Sequence, residues 1–384
     1  MAHHDILGIG ITGKSLTDLE RRLFQENPPY AVVLFGRNVG SADELRELVR
    51  EIKAIAKTPP LFMIDEEGGR VDRLRDLIPG LPSVEAFAEG ERPEELSGRF
   101  GEVIGMALRY FDIEIDLAPV VDIRGDHAPK GLERRTFGSD AGTVINLAGE
   151  FLRGLHRAGT ASCLKHFPGI GVGSADPHYG ATVIDVSRDE LRRRDLVPFH
   201  ALANEAGAVM IGHGTYPQLD DPDLPATLSR RLTNDLLRNE LGFDGIAISD
   251  DMEMHAVSDL GSYEEIAEAA LMAGNDVIMF CSHIERVDDL QRYLTRRVDE
   301  DPAVCAQFDL AVARCERYRA HCVRLREGAS RRVSSFDELI DEASQFIGEF
   351  ERTRPPRDEI VPEVDRSTGP GKPGKGHTGR EEWT

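Results

Sequence analysis

Short apolar runs, each followed by a longer amphipathic stretch, recur along most of the 384-residue chain and constrain its fold more than any other feature. The runs are rich in Val and Ile and nearly continuous, as expected of parallel β-strands that are covered on both faces. There are eight of them, at residues 6–11, 31–35, 61–64, 113–121, 161–166, 208–211, 246–249 and 276–280. Helical spacing of apolar residues marks the segments 42–56, 94–110, 141–158, 188–206, 228–241, 263–273 and 284–296.

Eight strands that alternate with helices predict an α/β fold, a closed (β/α)8 barrel of the TIM type in one domain. An open doubly wound sheet is the alternative, but Gly8, Gly10 and Gly13 lack the spacing of a phosphate-binding turn. Amphipathic segments at 302–327 and 336–350 predict extra C-terminal helices. We therefore assign residues 1–350 to one barrel domain and expect 351–384, a Pro- and Gly-rich tail, to be disordered because it cannot form a core.

The charge balance restricts the partners. The chain has 46 Lys and Arg against 68 Asp and Glu, a net charge of −22, which argues against nucleic acid or an anionic membrane as a partner. Five cysteines without a C-x-x-C pair suit a reduced compartment and argue against a thiolate zinc site. Without a secretory signal or a run of about 18 apolar residues, we expect a cytoplasmic protein, and a monomer is the simplest expectation.

Polar residues fall at the C-terminal ends of the predicted strands, where a barrel assembles its active site from the βα loops. A single residue of this kind could simply cap the next helix, but six strand ends carry one or more, which predicts a polar pocket. The residues are Asp65, Asp122, Lys165, His166, His213, Asp250, Asp251, Ser282 and His283.

Three segments carry a family resemblance. Residues 165–171, Lys-His-Phe-Pro-Gly-Ile-Gly, precede Asp176-Pro177-His178, a pattern similar to K-H-F-P-G-x-G…D-x-H. Residues 65–73 match D-x-E-G-G-R-V-x-R, and residues 245–252 are similar to a nucleophile-bearing strand. Together they resemble glycoside hydrolase family 3, within it the single-domain β-N-acetylhexosaminidase branch. The resemblance covers roughly residues 5–330 in the family's order and spacing.

The resemblance implies a retaining mechanism, which needs a nucleophilic carboxylate and a proton donor on opposite sides of the anomeric carbon. Asp250 matches the family's nucleophile, while the neighbouring Asp251 fits a helix N-cap. Asp176 and His178 match a dyad in which the histidine acts as acid and base. A carboxylate beside a histidine fixes its tautomer and stabilises the imidazolium, so the pairing is chemically sound.

The resemblance also implies a sugar-binding set that needs neither a metal nor a cofactor. Arg135 matches the arginine of the family's R-x-F-G turn. The adjacent Arg134 leaves an ambiguity of one residue, and we interpret Arg134 as a surface cation. The residues that match are Asp65, Arg73, Arg135, Lys165 and His166.

The implied activity is that of a retaining exo-β-N-acetylglucosaminidase acting on small carbohydrates such as cell-wall (peptidoglycan) fragments. Two departures from the family pattern, Ile170 in place of His and Pro177 in place of Ser, leave activity and substrate preference open. The alternatives are a β-glycosidase or glycoside phosphorylase with other sugar specificity, and a sugar-binding pseudoenzyme. A metal-dependent amidohydrolase is a further alternative, although the first strand lacks the His-x-His that begins such a metal site.

Overall fold

A barrel of parallel strands forms the centre of the protein, as the alternation predicts. A computed structural model describes residues 6–126, 128–175 and 182–353. Nine parallel strand segments share one sheet, and a short antiparallel pair, β7 (Ser174–Ala175) and β8 (Thr182–Val183), lies apart from it. The nine are β1 (Leu7–Gly10), β2 (Ala31–Leu34), β3 (Leu61–Ile64), β4 (Ile115–Asp116), β5 (Ala161–Ser162), β6 (Leu164–Phe167), β9 (Ala208–Ile211), β10 (Ile246–Asp251) and β11 (Val277–Phe280).

The sheet closes because β5 and β6 are two halves of one strand, separated only by Cys163. The sheet order runs β5-β4-β3-β2-β1-β11-β10-β9-β6, so its two ends are these two halves. Cys163 N–H donates to Ala118 O at 2.9 Å, and Val121 N–H donates to Lys165 O at 2.8 Å, which joins the fourth strand to both. The regular part of the predicted fourth strand is short, and Pro119, which has no N–H to donate, lies just beyond it. The prediction of an eight-stranded α/β barrel is confirmed.

Helices connect the strands and cover the barrel, and they depart from the predicted segments at several points. A short helix at Asp18–Glu26, begun by a Thr17–Glu20 capping box, was not among the predicted segments. The predicted helix at 188–206 is divided at Arg194, and most of the predicted helix at 228–241 is a π-helix, Arg231–Glu240. The α-helices are α1 (Asp18–Glu26), α2 (Ala42–Ile55), α3 (Pro93–Tyr110), α4 (Ala141–Ala158), α5 (Arg188–Arg193), α6 (Leu196–Ala206), α7 (His255–Ser258), α8 (Tyr263–Ala273), α9 (Val287–Glu300), α10 (Pro302–Gly328) and α11 (Phe336–Arg352).

The long helix α10 closes the N-terminal end of the barrel. Its buried residues Cys315, Tyr318 and Cys322 join the apolar cluster that fills the barrel interior. Tyr318 donates to the carbonyl oxygen of Ser162 at 3.2 Å, and Tyr30 donates to that of Cys315 at 3.0 Å. The barrel interior at that end is therefore apolar, and the polar residues predicted from the sequence lie at the opposite, C-terminal ends of the strands.

None of the helices in the described ranges is both long and apolar enough to cross a membrane.

Candidate active site

The segment after β3 folds into a tight turn because it contains two adjacent glycines. Gly68 and Gly69 have φ angles of 77° and 60°, in the left-handed region that favours glycine. A Cβ atom on Gly68 would lie 2.5 Å from the carbonyl oxygen of Pro82, so a side chain has no room there. The turn closes with a 2.8 Å hydrogen bond from Glu67 N–H to Val71 O. The turn begins directly after Asp65 and Glu66 at the end of β3.

A cluster of paired charges lies at the ends of β3 and β6. The ammonium group of Lys165, only 1% exposed, lies 2.6 Å from carboxylate oxygens of both Asp65 and Glu67. Arg135 binds Glu67 through two nitrogens, at 2.7 and 2.8 Å. Three of the five predicted sugar-binding residues are thus brought together, and Glu67, which was not predicted to take part, is the residue that joins Arg135 to Lys165.

The pKa values of this cluster show that its charges support one another. Burial alone would raise the pKa of Glu67, but Arg135 and Lys165 outweigh it and hold that pKa well below its usual range. Burial alone would lower the pKa of Lys165, but Asp65 and Glu67 raise it above its usual range. The site therefore presents fixed ions, which are strong hydrogen-bond partners for sugar hydroxyls.

His166, the fourth predicted residue, is oriented by Asp122 at the end of the fourth strand. Its Nδ1 lies 2.8 Å from Asp122 Oδ2, and the other carboxylate oxygen accepts from Ile170 N–H at 2.8 Å. The carboxylate accepts the Nδ1 proton, which leaves Nε2 for another partner. Ile170 stands where the family pattern has His, and its backbone N–H makes this hydrogen bond to Asp122 whatever the side chain.

Asp250 lies at the end of β10, half-buried, and its carboxylate Oδ1 accepts a hydrogen bond from Asp251 N–H at 2.9 Å. Burial alone would raise its pKa, but the charges of His213 and His166, with the Asp251 amide, outweigh that effect and lower it. A carboxylate that stays ionised in a partly dry pocket is what a nucleophile requires.

The interpretation of Asp251 as a helix N-cap is wrong. The strand continues through Asp251, and the next helix, α7, begins after Met254. The Asp251 carboxylate instead accepts from Glu253 N–H and Cys281 N–H, each at 3.2 Å.

His213, at the end of β9, contacts the same segment. Its Nε2 donates to the carbonyl oxygen of Asp251 at 2.9 Å, and its Nδ1 lies within hydrogen-bonding distance of the Thr227 hydroxyl. Burial lowers the pKa of His213, and the negative charge of Asp250 opposes that effect.

Two arginines, Arg73 and Arg135, were assigned to the sugar-binding set from their positions in the family motifs. The Arg73 backbone N–H donates to Glu66 Oε2 at 2.8 Å and its side chain is half-buried. Arg134 is exposed, whereas Arg135 reaches into the charged cluster; the sugar-binding role of Arg135 stays a prediction.

The predicted acid/base dyad, Asp176 and His178, lies outside the described residues, as does Pro177 between them.

Two residues of the site, Glu67 and Asp122, were not assigned a role from the sequence, and the sequence marks the first more clearly than the second. Glu67 occupies the E of the D-x-E-G-G-R segment and could have been named from the motif alone. Asp122 was noted only as a strand-end residue, because its hydrogen bond to His166 joins two strands that are 44 positions apart in the chain.

The fold and the site define a (β/α)8-barrel enzyme that holds an ionised carboxylate and a cluster of hydrogen-bonding ions at the C-terminal ends of its strands. Residues 16–317 match the family model described as the glycosyl hydrolase family 3 N-terminal domain. The chain belongs to glycosyl hydrolase family 3, and it is a glycoside hydrolase.

The relatives agree in sequence and in fold. A β-hexosaminidase of Pseudomonas aeruginosa is 38% identical over 277 residues, which cover 72% of this chain and 82% of the relative. A solved family 3 β-N-acetylglucosaminidase from a Paenibacillus species superimposes with a TM-score of 0.78 and 30% identity, covering 90% of this chain and 67% of the other. NagZ from Neisseria gonorrhoeae, solved with N-trifluoroacetyl-D-glucosamine, gives a TM-score of 0.70 and 26% identity, covering 85% of this chain and 99% of the other.

Proposed function

We propose that the protein is a retaining exo-β-N-acetylglucosaminidase with Asp250 as its nucleophile. The observation that carries this proposal is the position of the half-buried Asp250 at the end of β10, where its carboxylate accepts from the Asp251 amide and the nearby His213 and His166 lower its pKa. The names of the relatives, β-hexosaminidase and β-N-acetylglucosaminidase, support the choice of sugar.

In the first step, an oxygen of Asp250 attacks the anomeric carbon while the bond to the leaving oxygen breaks. His178, oriented by Asp176, donates the proton that the leaving oxygen takes up. The result is a covalent glycosyl-enzyme. In the second step, His178 removes a proton from water, the water oxygen attacks the anomeric carbon, and Asp250 leaves as a carboxylate.

The charged cluster forms the binding site for the non-reducing sugar. Asp65 is acceptor-only and takes hydrogen bonds from pyranose hydroxyls, while Lys165, Arg135 and Arg73 donate. His166, held by Asp122, presents Nε2 to the same sugar. Because Lys165 and Arg135 are already paired with carboxylates, the ions need no rearrangement when a neutral sugar binds.

We further propose a cytoplasmic monomer that acts on small cell-wall (peptidoglycan) fragments with terminal β-linked N-acetylglucosamine. Its catalytic domain covers residues 1–350. We propose that the tail, 351–384, takes no part in the chemistry; it lies outside the family match, which covers residues 16–317.

A panel of 4-nitrophenyl β-glycosides, assayed with and without phosphate, tests the activity. We expect turnover of the N-acetylglucosaminide, with free sugar as the product under both conditions. Turnover of a glucoside or xyloside without the N-acetylglucosaminide would contradict the substrate. A sugar 1-phosphate formed only with phosphate would indicate a phosphorylase, and binding without turnover would indicate a pseudoenzyme.

Asp250→Ala tests the nucleophile. Removal of a covalent catalyst is expected to lower kcat by a factor of about 10³ or more. The matched control is Asp244→Ala, at an aspartate whose side chain is 77% exposed, and we expect it to keep the wild-type rate. An Asp250→Ala variant that stays within tenfold of wild type would remove this assignment.

A further inference from the structure

The hydrogen-bond ladder between β10 and β11 continues past the strand ends, and carboxylates replace backbone carbonyls as its acceptors. Met252 N–H donates to Met279 O at 2.9 Å in the ordinary way. Cys281 N–H then donates to Asp251 Oδ1 at 3.2 Å, and His283 N–H donates to Glu253 Oε1 at 3.1 Å. The segment that follows Asp250 is therefore joined to the loop after β11 through side chains at alternate positions, 251 and 253.

Glu253 is the centre of this extension. Its side chain is only 4% exposed, and its carboxylate accepts hydrogen bonds from several groups of the described chain. Oε2 accepts from Ser282 N–H, while Oε1 accepts from His283 N–H and, at 2.7 Å, from the hydroxyl of Tyr263. The ring Nδ1 of His283 also lies within hydrogen-bonding distance of Oε1. Because only acceptors suit such a site, a carboxylate fits it and an amide, with its two N–H donors, does not.

The same segment supports Asp250. Glu253 N–H donates to Asp251 Oδ1, and Asp251 N–H donates to Asp250 Oδ1 at 2.9 Å. The pairing register between β10 and β11 shifts between Ile248 and Asp251, so regular backbone pairing does not fix the position of Asp250. The side-chain contacts of Asp251 and Glu253 supply the constraint at the point where the regular pairing is interrupted.

We infer that Glu253 is a positioning residue that aims the carboxylate of Asp250 at the anomeric carbon. It does so by fixing residues 251–253 against the loop after β11, and it touches no reacting atom. The inference rests on the proposed role of Asp250 as nucleophile. A displacement of about 1 Å at a reacting atom can cost a factor of about 10² in rate, so loss of this constraint is large enough to measure.

Glu253→Gln is the test, and Glu268→Gln is its matched control. Glu268 also accepts from a tyrosine hydroxyl, Tyr293 at 2.7 Å, and from Arg297, but it lies between α8 and α9 on the outside of the barrel. We expect both variants to lower Tm. At a temperature well below both Tm values, Glu253→Gln is expected to lower kcat for 4-nitrophenyl N-acetyl-β-glucosaminide about 30-fold, with KM within threefold of wild type, whereas Glu268→Gln keeps kcat.

Trapping of the glycosyl-enzyme provides a readout that a purely structural role would not change. A fluorosugar with an activated leaving group labels the nucleophile, and mass spectrometry follows the rate. We expect the Glu253→Gln variant to be labelled more slowly by the same factor as its kcat falls. A kcat and a labelling rate equal to those of Glu268→Gln would overturn the inference.

A second variant covers the case in which Glu253→Gln does not fold. Tyr263→Phe removes one donor from Glu253 and leaves the backbone hydrogen bonds, so we expect kcat to fall by three- to tenfold. An unchanged kcat in this variant would contradict the inference. If the wild-type protein neither hydrolyses the substrate nor becomes labelled, the proposed function itself fails, whatever the variants do.

Discussion

At the residue scale, Glu67 illustrates how one buried charge organises several others. It binds Arg135 at 2.7 and 2.8 Å and Lys165 at 2.6 Å, and it is only 3% exposed. Glu67→Gln removes the charge that both cations face, and removal of one partner from a buried ionic group typically costs about 3–5 kcal/mol. We expect the free energy of unfolding, measured in urea, to fall by about 3 kcal/mol and KM to rise.

The control is Glu205→Gln, which breaks a surface pair with Arg153 whose side chains are 38% and 44% exposed. Exposed pairs of this kind contribute about 0.2–1 kcal/mol, so the unfolding free energy should change little. Equal losses in the two variants would show that Glu67 is no more than a surface ion.

Asp195 makes the free energy of unfolding depend on pH. Its side chain is 2% exposed and its Oδ1 has no hydrogen-bond partner among the described residues. Burial raises the pKa of Asp195 to about 7. The charge of Arg194 lowers this pKa in part, whereas the charge of Asp122 raises it further. Since this pKa is above that of the unfolded chain, the folded state retains a proton that the unfolded state loses. The resulting stabilisation is complete below about pH 4 and is lost as the pH rises through 7.

Asp195→Asn should therefore stabilise the protein at pH 8, by on the order of 2–4 kcal/mol, and leave the unfolding free energy at pH 4 near that of wild type. Urea unfolding at the two pH values measures the difference. A difference between variant and wild type that is independent of pH would show that Asp195 does not titrate in this range.

The residue types of the site follow from the motifs, but the contacts between them do not. Asp65, Lys165 and His166 were named because each ends a strand and matches a family position. That Lys165 pairs with two carboxylates, or that Asp122 fixes His166, depends on how far adjacent strands are offset, which a one-dimensional pattern does not contain. Glu253 was missed for this reason, since its partners come from the loop after β11.

At the element scale, buried strands were easy to predict and irregular helices were not. A run of four apolar residues between two amphipathic segments, such as Leu61–Ile64, indicates a buried β-strand. Helix α1 has nine residues, of which five are charged, so only its Thr17–Glu20 capping box marked it. The π-helix at Arg231–Glu240 shares its apolar spacing with an α-helix closely enough that the sequence does not separate them.

Helix α11 lies beyond the end of the family match and packs against α3. Phe346 is fully buried, with its ring centroid 5.5 Å from that of Phe100 and 6.4 Å from that of Phe87. Phe346→Ala should lower the free energy of unfolding by about 3–4 kcal/mol, as expected for a large buried side chain, and leave kcat unchanged well below Tm. Ile347→Ala, at a half-buried neighbour, should cost clearly less. A loss of kcat in folded Phe346→Ala would indicate that α11 influences the site.

At the scale of the whole molecule, the net charge of −22 and the ion pairs of the site respond differently to salt. The chain has 68 acidic against 46 basic groups. Most acidic side chains of the described residues lie at the surface, where their mutual repulsion acts over a distance set by the salt concentration. The screening length falls from about 30 Å at 0.01 M salt to about 10 Å at 0.1 M. Overall charge therefore affects stability, whereas the site depends on contacts below 3 Å that salt screens much less.

Salt should accordingly raise Tm and leave substrate binding alone. Between 0.01 and 0.3 M NaCl we expect Tm to rise by several degrees, because the screened long-range repulsion outweighs the weakening of surface ion pairs worth about 0.2–1 kcal/mol each. Choline chloride at equal ionic strength should give the same rise, which separates screening from binding of a particular cation. The KM for the neutral 4-nitrophenyl N-acetyl-β-glucosaminide should stay constant over this range, because Lys165 and Arg135 hold their carboxylate partners at 2.6–2.8 Å. A Tm that falls with salt would mean that the surface ion pairs, rather than the net charge, dominate the electrostatic free energy of this fold.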